Sequence, residues 1–318
     1  MMQESIKPKA LWIIEKQTAN LQPASLGTGV LVRSIYSGIS RGTERVVLNG
    51  EVPESEFERM RCYGQEGEFS FPVKYGYCTV GEVLEGYLQG KRVFTLYPHQ
   101  DYFRISEDRL QLLPDDIPAS RAILAANMET ALNISWDAEL QKGEKVAVIG
   151  AGVVGALSAY VAKDQGADVV LIDKNAQRAS VAAELGIEFF NPETVVGEFE
   201  KIIHTSASEE GLALALSIAK EEGWIIEASW YGNKTVNLPL GGAFHSRRLR
   251  IISSQVGKIP ASRANWSFNS RMQRALELLK DSRLDCLISG ETGFEEVAES
   301  YSEIIGNPDT LCHRIRFQ

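Results

Sequence analysis

Lys145-Val146-Ala147-Val148-Ile149-Gly150-Ala151-Gly152-Val153-Val154-Gly155 is the stretch that decides the fold. A short apolar run ends at Gly150, and a segment with helical patterning begins near Val153. The glycines fill positions one, three and six of G-x-G-x-x-G. Gly150 permits a tight turn, Gly152 lets the backbone approach a pyrophosphate, and Gly155 allows a helix to pack closely on a strand. The opening N–H groups of that helix, at Val153 and Val154, and the positive end of its dipole then face two phosphates. Ala156, Ala159 and Ala162 are small enough for the helix to lie tightly on a sheet.

A second apolar run, Asp168-Val-Val-Leu-Ile172, ends at Asp173, eighteen residues after Gly155. A carboxylate there accepts hydrogen bonds from an adenosine ribose and repels a 2′-phosphate. A glycine-rich turn alone is weak evidence. With a strand before it, a helix after it and an acid at this distance, it predicts a dinucleotide site. NAD is the expected cofactor, with NADP less favoured; Lys174 and Arg178 offer compensating positive charge.

The remaining composition sets limits. The chain has 318 residues, which suggests about two domains. Its 44% hydrophobic and 24% charged content suit a globular protein with a buried core. A net charge of −9 without long single-sign runs argues against a nucleic-acid partner. Cys62, Cys78, Cys286 and Cys312 form no C-x-x-C, which opposes a disulfide framework or a cysteine-rich zinc site and fits a reducing compartment. No apolar run approaches membrane-spanning length, and the N-terminus lacks an apolar signal region. The expectation is a cytoplasmic homodimer acting on a small molecule, with no membrane partner.

In chain order, residues 10–105 read as short strands at Leu11–Ile14, Val30–Ile35, Thr79–Leu84 and Arg92–Leu96, with a polar loop or short helix at 50–70. Ala119–Leu132 reads as a helix leading into a second domain. Strands at 145–149, 168–172, 187–190, 201–205, 224–229 and 249–254 then alternate with helices at 153–165, 176–185 and 209–220. That alternation predicts an α/β fold with a doubly wound parallel sheet of six strands. Two further helices follow, one with Met272, Leu276 and Leu279 on a face, the other with Val297, Tyr301 and Ile304. A strand near 311–317 is placed to return to the first domain.

Further motifs carry a resemblance: Ser37-Gly-Ile-Ser-Arg-Gly-Thr-Glu44, Gly76-Tyr-Cys-Thr-Val-Gly-Glu-Val83, Asn127-Met-Glu-Thr-Ala-Leu132, and Phe244-His-Ser-Arg-Arg through Ser253-Ser-Gln-Val-Gly257. With the Gly150 fingerprint, they make the whole chain similar to the medium-chain dehydrogenase/reductase superfamily. The first and third, with Pro98-His-Gln100, look most like its zinc-less branch that holds the bacteriochlorophyllide hydroxyethyl dehydrogenases. The resemblance implies a GroES-like β domain at 1–122, completed by 258–318, and a Rossmann domain at 123–257, with the active site in a cleft between them. Zinc-dependent members have metal ligands where this chain has Ser40, Tyr77 with Cys78, and Ala126. The four-cysteine structural zinc lobe is missing as well. No metal is therefore expected, because no tetrahedral N/S set remains.

The same resemblance suggests roles for individual residues. Arg41 would contact the pyrophosphate, a contact suited to guanidinium; the alternative is a solvated surface arginine, and the match slightly favours binding. Tyr77 would stand in for a metal ligand and donate to a substrate carbonyl, or else fill vacated space. His99 could act as general acid or base, and Thr43 as a hydroxyl relay or a turn brace. Thr130, Thr205, Ser206, Tyr231, His245, Ser254 and Gln255 would surround the cofactor, several of them at carboxyl ends of strands. His204 and His313 are read as fillers.

The chemistry these residues predict is hydride transfer between nicotinamide and an alcohol or carbonyl, without zinc. Alternatives are alkene reduction of the quinone or enoyl type, and a non-catalytic dinucleotide-binding redox sensor.

Overall fold

A computed structural model describes residues 6–317. It separates into two compact units, one comprising the chain up to Ala126 together with Ile288 onward, the other Asn127–Leu287.

The second unit is built on six strands: β1 (Lys145–Ile149), β2 (Asp168–Ile172), β3 (Glu188–Phe190), β4 (Phe199–His204), β5 (Ala219–Glu227) and β6 (Arg250–Ser253). They lie in the order β3-β2-β1-β4-β5-β6, every neighbouring pair parallel. This is the doubly wound Rossmann order, with its switch point between β1 and β4. The central strands are continuous apolar runs because helices cover both faces of such a sheet. Ile149, Ile202 and Ile225 join Leu212, Ala215 and Leu216 in one buried cluster. Each isoleucine or leucine among them, fully removed from water, contributes about 1.5–3 kcal/mol.

The connecting helices, with α1 (Ala125–Asp137) ahead of the sheet, are α2 (Val153–Asp164), α3 (Arg178–Glu184) and α4 (Glu209–Ile218). On α2 the three alanines at 156, 159 and 162 are fully buried, which is how the helix approaches the sheet. The strand boundary that moves furthest in this unit is the start of β5, at Ala219 rather than Trp224, where Phe199 pairs with Ala219 across a register shift.

A larger correction concerns residues 258–287, expected in the first domain. They belong to the second. Within them α5 (Phe268–Leu278) carries Arg271, whose guanidinium is 2% exposed and lies 3.0 Å from Glu129 of α1. Arg271 also donates to Asn133 at 2.5 Å and to the Val256 carbonyl at 2.7 Å. A buried cation has to stay with its carboxylate, so α5 packs where Glu129 is. Tyr160 of α2 adds a hydrogen bond to Asp281 at 3.2 Å.

The first unit is GroES-like. Its larger sheet runs, from one edge, Ile288–Gly293, Cys312–Arg316, Val30–Ser40, Thr79–Val83, Arg92–Thr95 and Gln111–Leu112, with Tyr102–Ile105 also pairing Val30–Ser40. Cys312–Arg316 pairs antiparallel with Val30–Ser40, Cys312 opposite Ser40, so the final strand does return to this unit. A smaller four-stranded sheet contains Lys9–Glu15 and Thr18–Pro23. Two helices matter for the site: Arg41–Leu48, which continues directly from Val30–Ser40, and Val297–Gly306. The expected polar segment at 50–70 contains two single turns, Glu54–Glu56 and Phe57–Met60, and a two-residue strand, Glu66–Gly67.

Candidate functional site

In the second unit each fingerprint glycine has a separable steric reason. Gly150 has φ +103°, and a side chain there would sit 2.8–2.9 Å from Ser206 backbone and the Thr205 hydroxyl. A Cβ on Gly155 would fall 1.7 Å from the Gly150 carbonyl oxygen. Gly152 is the opposite case, with nothing within 4 Å of where its Cβ would be. It is the N-cap of α2 and has no side chain to satisfy the opening N–H groups. The open cradle over Gly152 and the orphan donors behind it fit a pyrophosphate.

Asp173, at the end of β2, accepts the Ala151 N–H at 2.6 Å and the Asn175 N–H at 2.8 Å. Lys174 is exposed and Arg178 is buried, so the two cations expected beside Asp173 are not equivalent. Thr205 braces the turn, donating to the Gly150 carbonyl at 2.9 Å and the Ile149 carbonyl at 3.2 Å.

Beyond Thr205 lies a network that sequence reading left out. His204 ends β4 and Glu227 ends β5, opposite one another in register. Neighbouring residues of parallel strands point to the same face, and Nδ1 of His204 meets Oε2 of Glu227 at 2.7 Å. Nε2 of His204 meets the Ser206 hydroxyl at 2.7 Å, and that hydroxyl meets Ser208 at 2.9 Å. Ser208 in turn caps α4 by accepting the Gly211 N–H. Glu227 also accepts from the Tyr231 hydroxyl at 3.1 Å and the Ser229 N–H at 2.8 Å. Burial raises the Glu227 carboxyl, but the bonds from His204 and Ser229 outweigh it and hold the group below its ordinary range. Burial and the adjacent Glu227 push the Tyr231 phenol up. The sequence signal was there: a histidine and a glutamate that each end an adjacent strand.

The other predicted cofactor residues are scattered around this unit. His245 is exposed in a single helical turn, Ala243–Ser246. Ser254 donates to Asp137 at 2.6 Å, and Gln255 accepts the Gly257 N–H at 2.5 Å. Thr130 lies half-buried on α1.

In the first unit, Ser40, Thr43, Tyr77 and His99 come together around Glu44, which is fully buried. Glu44 accepts the Ser40 N–H at 2.6 Å and the Tyr301 hydroxyl at 2.6 Å, and lies 3.0 Å from Nε2 of His99. Nδ1 of His99 is held by Ser37. A histidine that gives Nε2–H to a carboxylate and receives the Ser37 hydroxyl at Nδ1 has no nitrogen left for substrate. Gly76, at φ +122°, leaves room for the ring: a Cβ there would lie 2.8 Å from it. His99 and Tyr301 are thus braces for Glu44.

Tyr77 sits on the edge of this cluster, half-buried, with side-chain hydrogen bonds to Ser40 and Thr43. Burial pushes its phenol well above the usual range, and the bonds from Ser40 and Thr43 only partly oppose this. At neutral pH it is a donor, never a base. Arg41 gives its Nε–H to the Ile305 carbonyl at 2.9 Å, fastening the end of the Val297–Gly306 helix. Among the described residues no group of three or more His, Cys, Asp or Glu side chains could hold a metal ion.

A turn shaped for pyrophosphate on a doubly wound sheet, in a chain that also carries a GroES-like unit, defines a dinucleotide-binding oxidoreductase fold. The chain is similar to zinc-type alcohol dehydrogenase-like proteins of the medium-chain dehydrogenase/reductase superfamily, and shares their fold. It is 25% identical over 309 residues to an uncharacterized zinc-type alcohol dehydrogenase-like protein of Haemophilus influenzae, covering 90% of this chain and 81% of that one. It is 26% identical to the D-guloside 3-dehydrogenase of Escherichia coli over 63% of this chain and 62% of the relative. Among solved structures, the L-idonate 5-dehydrogenase of Escherichia coli superposes with a TM-score of 0.79 at 15% identity, over 98% of this chain and 99% of that one. A family model described as FAD dependent oxidoreductase matches residues 145–206 alone. That span is β1 to the loop after β4, the dinucleotide-binding half that FAD and NAD folds share.

Proposed function

We propose that this protein is an NAD(P)-dependent dehydrogenase that interconverts an alcohol and a carbonyl without zinc, using Tyr77 as the polarising donor. The single observation that carries the zinc-free part is the Ser40–Tyr77–Thr43 hydroxyl cluster over buried Glu44, in which Ser40 and Tyr77 fall where the family resemblance puts zinc ligands. The dehydrogenase names of the relatives support the reaction class. The second unit's Gly150 turn and Asp173 would hold the dinucleotide. When bound, the nicotinamide supplies or accepts the hydride. Tyr77, kept protonated by burial, would donate to the substrate oxygen on which negative charge develops, and Thr43 and Ser40 would fix its hydroxyl. NAD is the preferred cofactor, small alcohols or sugar-like polyols the substrate class, and a homodimer the assembly.

The test is a panel of polyols, simple alcohols, ketones and activated alkenes with NAD(H) and NADP(H). Substrate-dependent change at 340 nm with alcohols or ketones supports the reading. Turnover confined to alkenes replaces it with quinone or enoyl reduction. Cofactor binding without turnover across the panel leaves a dinucleotide sensor.

A further inference from the structure

The first unit holds a cavity of about 220 Å³ walled by Tyr63, Gln65, Glu66, Tyr97 and Arg104. None of these residues belongs to the cluster around Glu44. Ser25 and Thr28, also in the wall, precede the strand Val30–Ser40, whose far end carries Ser40. The segment with Tyr63 and Gln65 lies directly against Tyr97. Only a glycine permits this: Gly64 has φ +75°, and a Cβ there would fall 2.5 Å from the Tyr97 ring. Tyr97 is itself fixed, stacked on Phe103 with centroids 3.9 Å apart.

Gln65 is 8% exposed. Its Oε1 accepts the Cys62 N–H at 3.2 Å, and its Nε2 is buried with no acceptor among the described residues. A buried amide donor left unpaired is costly, so it marks a place that takes a hydrogen-bond acceptor. The charges around it are already matched. Glu66 accepts from Lys74 Nζ at 2.5 Å and from the Ser25 N–H at 3.0 Å, and the buried Lys74 also donates to Gln100 at 2.7 Å. Arg104 is paired with Glu85. Walls whose charges cancel suit a neutral guest better than an ion. Burial pushes the Tyr97 phenol above its usual range, so it stays a donor. Tyr63 is 40% exposed and presents ring surface, with the Arg109 guanidinium 3.9 Å over its centroid. An amide donor, a phenol donor, a carboxylate acceptor and aromatic carbon in one small cavity match hydroxyls on a C–H framework, because each hydroxyl both donates and accepts.

We propose that this cavity binds a neutral polyhydroxylated molecule of monosaccharide size, at a site separate from the cluster around Glu44. Gln65 donates to one of its oxygens, Glu66 accepts from one of its hydroxyls, and Tyr63 packs on its C–H face. The volume agrees with a small guest, lying below the roughly 300–1,000 Å³ of sites for drug-sized ligands. Binding here requires no dinucleotide, so it stands independently of the function proposed above.

Calorimetric titration of the full chain, without cofactor, with D-glucose, D-galactose and D-sorbitol tests it, repeated on Gln65→Leu, Tyr63→Ala and Tyr77→Phe. At least one of the three compounds should bind saturably. Gln65→Leu and Tyr63→Ala should each weaken that binding about tenfold, while Tyr77→Phe leaves it within about twofold. The melting temperature of Gln65→Leu should not fall, since leucine replaces an amide whose donor has no partner. Absence of saturable binding for all three compounds overturns the proposal. Weakening by Tyr77→Phe but by neither of the other two overturns it as well, and moves the sugar to the cluster around Glu44. A parallel loss of binding and melting temperature in both cavity variants would make the segment a structural brace. A crystal structure grown with the bound compound should place it against Gln65; a water alone on Nε2, with the sugar elsewhere, also refutes the site.

Discussion

Asp173 clasps Ala151: its Oδ2 accepts the Ala151 N–H at 2.6 Å, joining the end of β2 to the middle of the phosphate turn. The other oxygen accepts the Asn175 N–H at 2.8 Å. Both oxygens therefore point along defined directions, and each retains a lone pair for a ribose hydroxyl. The carboxylate is a strut of the turn, and under the proposed function it is also the group that selects the cofactor.

From that geometry NADH should bind more tightly than NADPH, since a 2′-phosphate would meet an oriented anion. Lys174 is the exposed cation beside it, while Arg178 is buried. Asp173→Ala should lower NADH affinity by about ten- to a hundredfold, the value of one or two charge-assisted hydrogen bonds. Fluorescence titration with both reduced cofactors measures this; clearly tighter NADPH binding by the wild type would refute the role given to Asp173.

Zinc content is a second expected outcome. The family resemblance puts Ser40, Tyr77 and Ala126 where zinc-dependent members have ligands, and Glu44 and His99 of the same cluster are bound to each other. Elemental analysis of protein purified without added metal should find no stoichiometric zinc, and chelator should leave its melting temperature unchanged. One tightly held zinc per chain would show that Cys78 or His99 is recruited after all.

The parts of the molecule legible in the sequence are those set by local rules. The glycine fingerprint needs only its own strand, turn and helix, so Gly150, Gly155 and Asp173 stand where spacing put them. The six parallel strands follow from apolar runs of fixed length. Long-range polar pairing was not legible. Arg271 and Glu129 lie 142 positions apart, so no periodicity assigns α5 to the second unit. Tyr301 meets Glu44 across 257 positions, which is why a face of Val297, Tyr301 and Ile304 read only as apolar packing. His204, read as a filler, is fully buried but bonded through both nitrogens, because its partner comes from the adjoining strand.

The Arg271–Glu129 pair yields a prediction about stability and its pH dependence. Burial raises the Glu129 carboxyl above its ordinary value of 4.5, and Arg271 opposes this without cancelling it. Such a group favours the folded state fully below its unfolded pKa and loses that contribution as pH rises through the folded value. Arg271→Met removes the opposing cation, raises the folded value further and leaves a buried carboxylate alone. Destabilisation should reach about 3–5 kcal/mol at neutral pH. Urea unfolding near pH 8 and near pH 5 should show a smaller loss at the lower pH, where the raised Glu129 carboxyl takes up more of its proton. A loss independent of pH would mean that Glu129 relaxes to solvent when Arg271 is gone.

Tyr77→Phe addresses the chemistry itself. The substitution keeps ring and volume and removes only the hydroxyl that Ser40 and Thr43 hold. If that hydroxyl donates to the developing oxyanion, its loss is felt in the transition state more than in the ground state. The expected result is a fall in kcat of about a hundredfold with cofactor affinity nearly unchanged. Protonation supplies a second signature. Burial keeps the phenol from ionising through the alkaline range, so wild-type activity should show no loss attributable to Tyr77 ionisation between neutral pH and about pH 10, the usual tyrosine value. Thr43→Val, which removes one of the two groups orienting the phenol, should lower kcat less than Tyr77→Phe does. Unchanged kcat in Tyr77→Phe would reduce Tyr77 to a filler of the space a metal ligand takes in relatives. A joint loss of stability and cofactor binding would instead place the residue among the braces, with Tyr301 and His99.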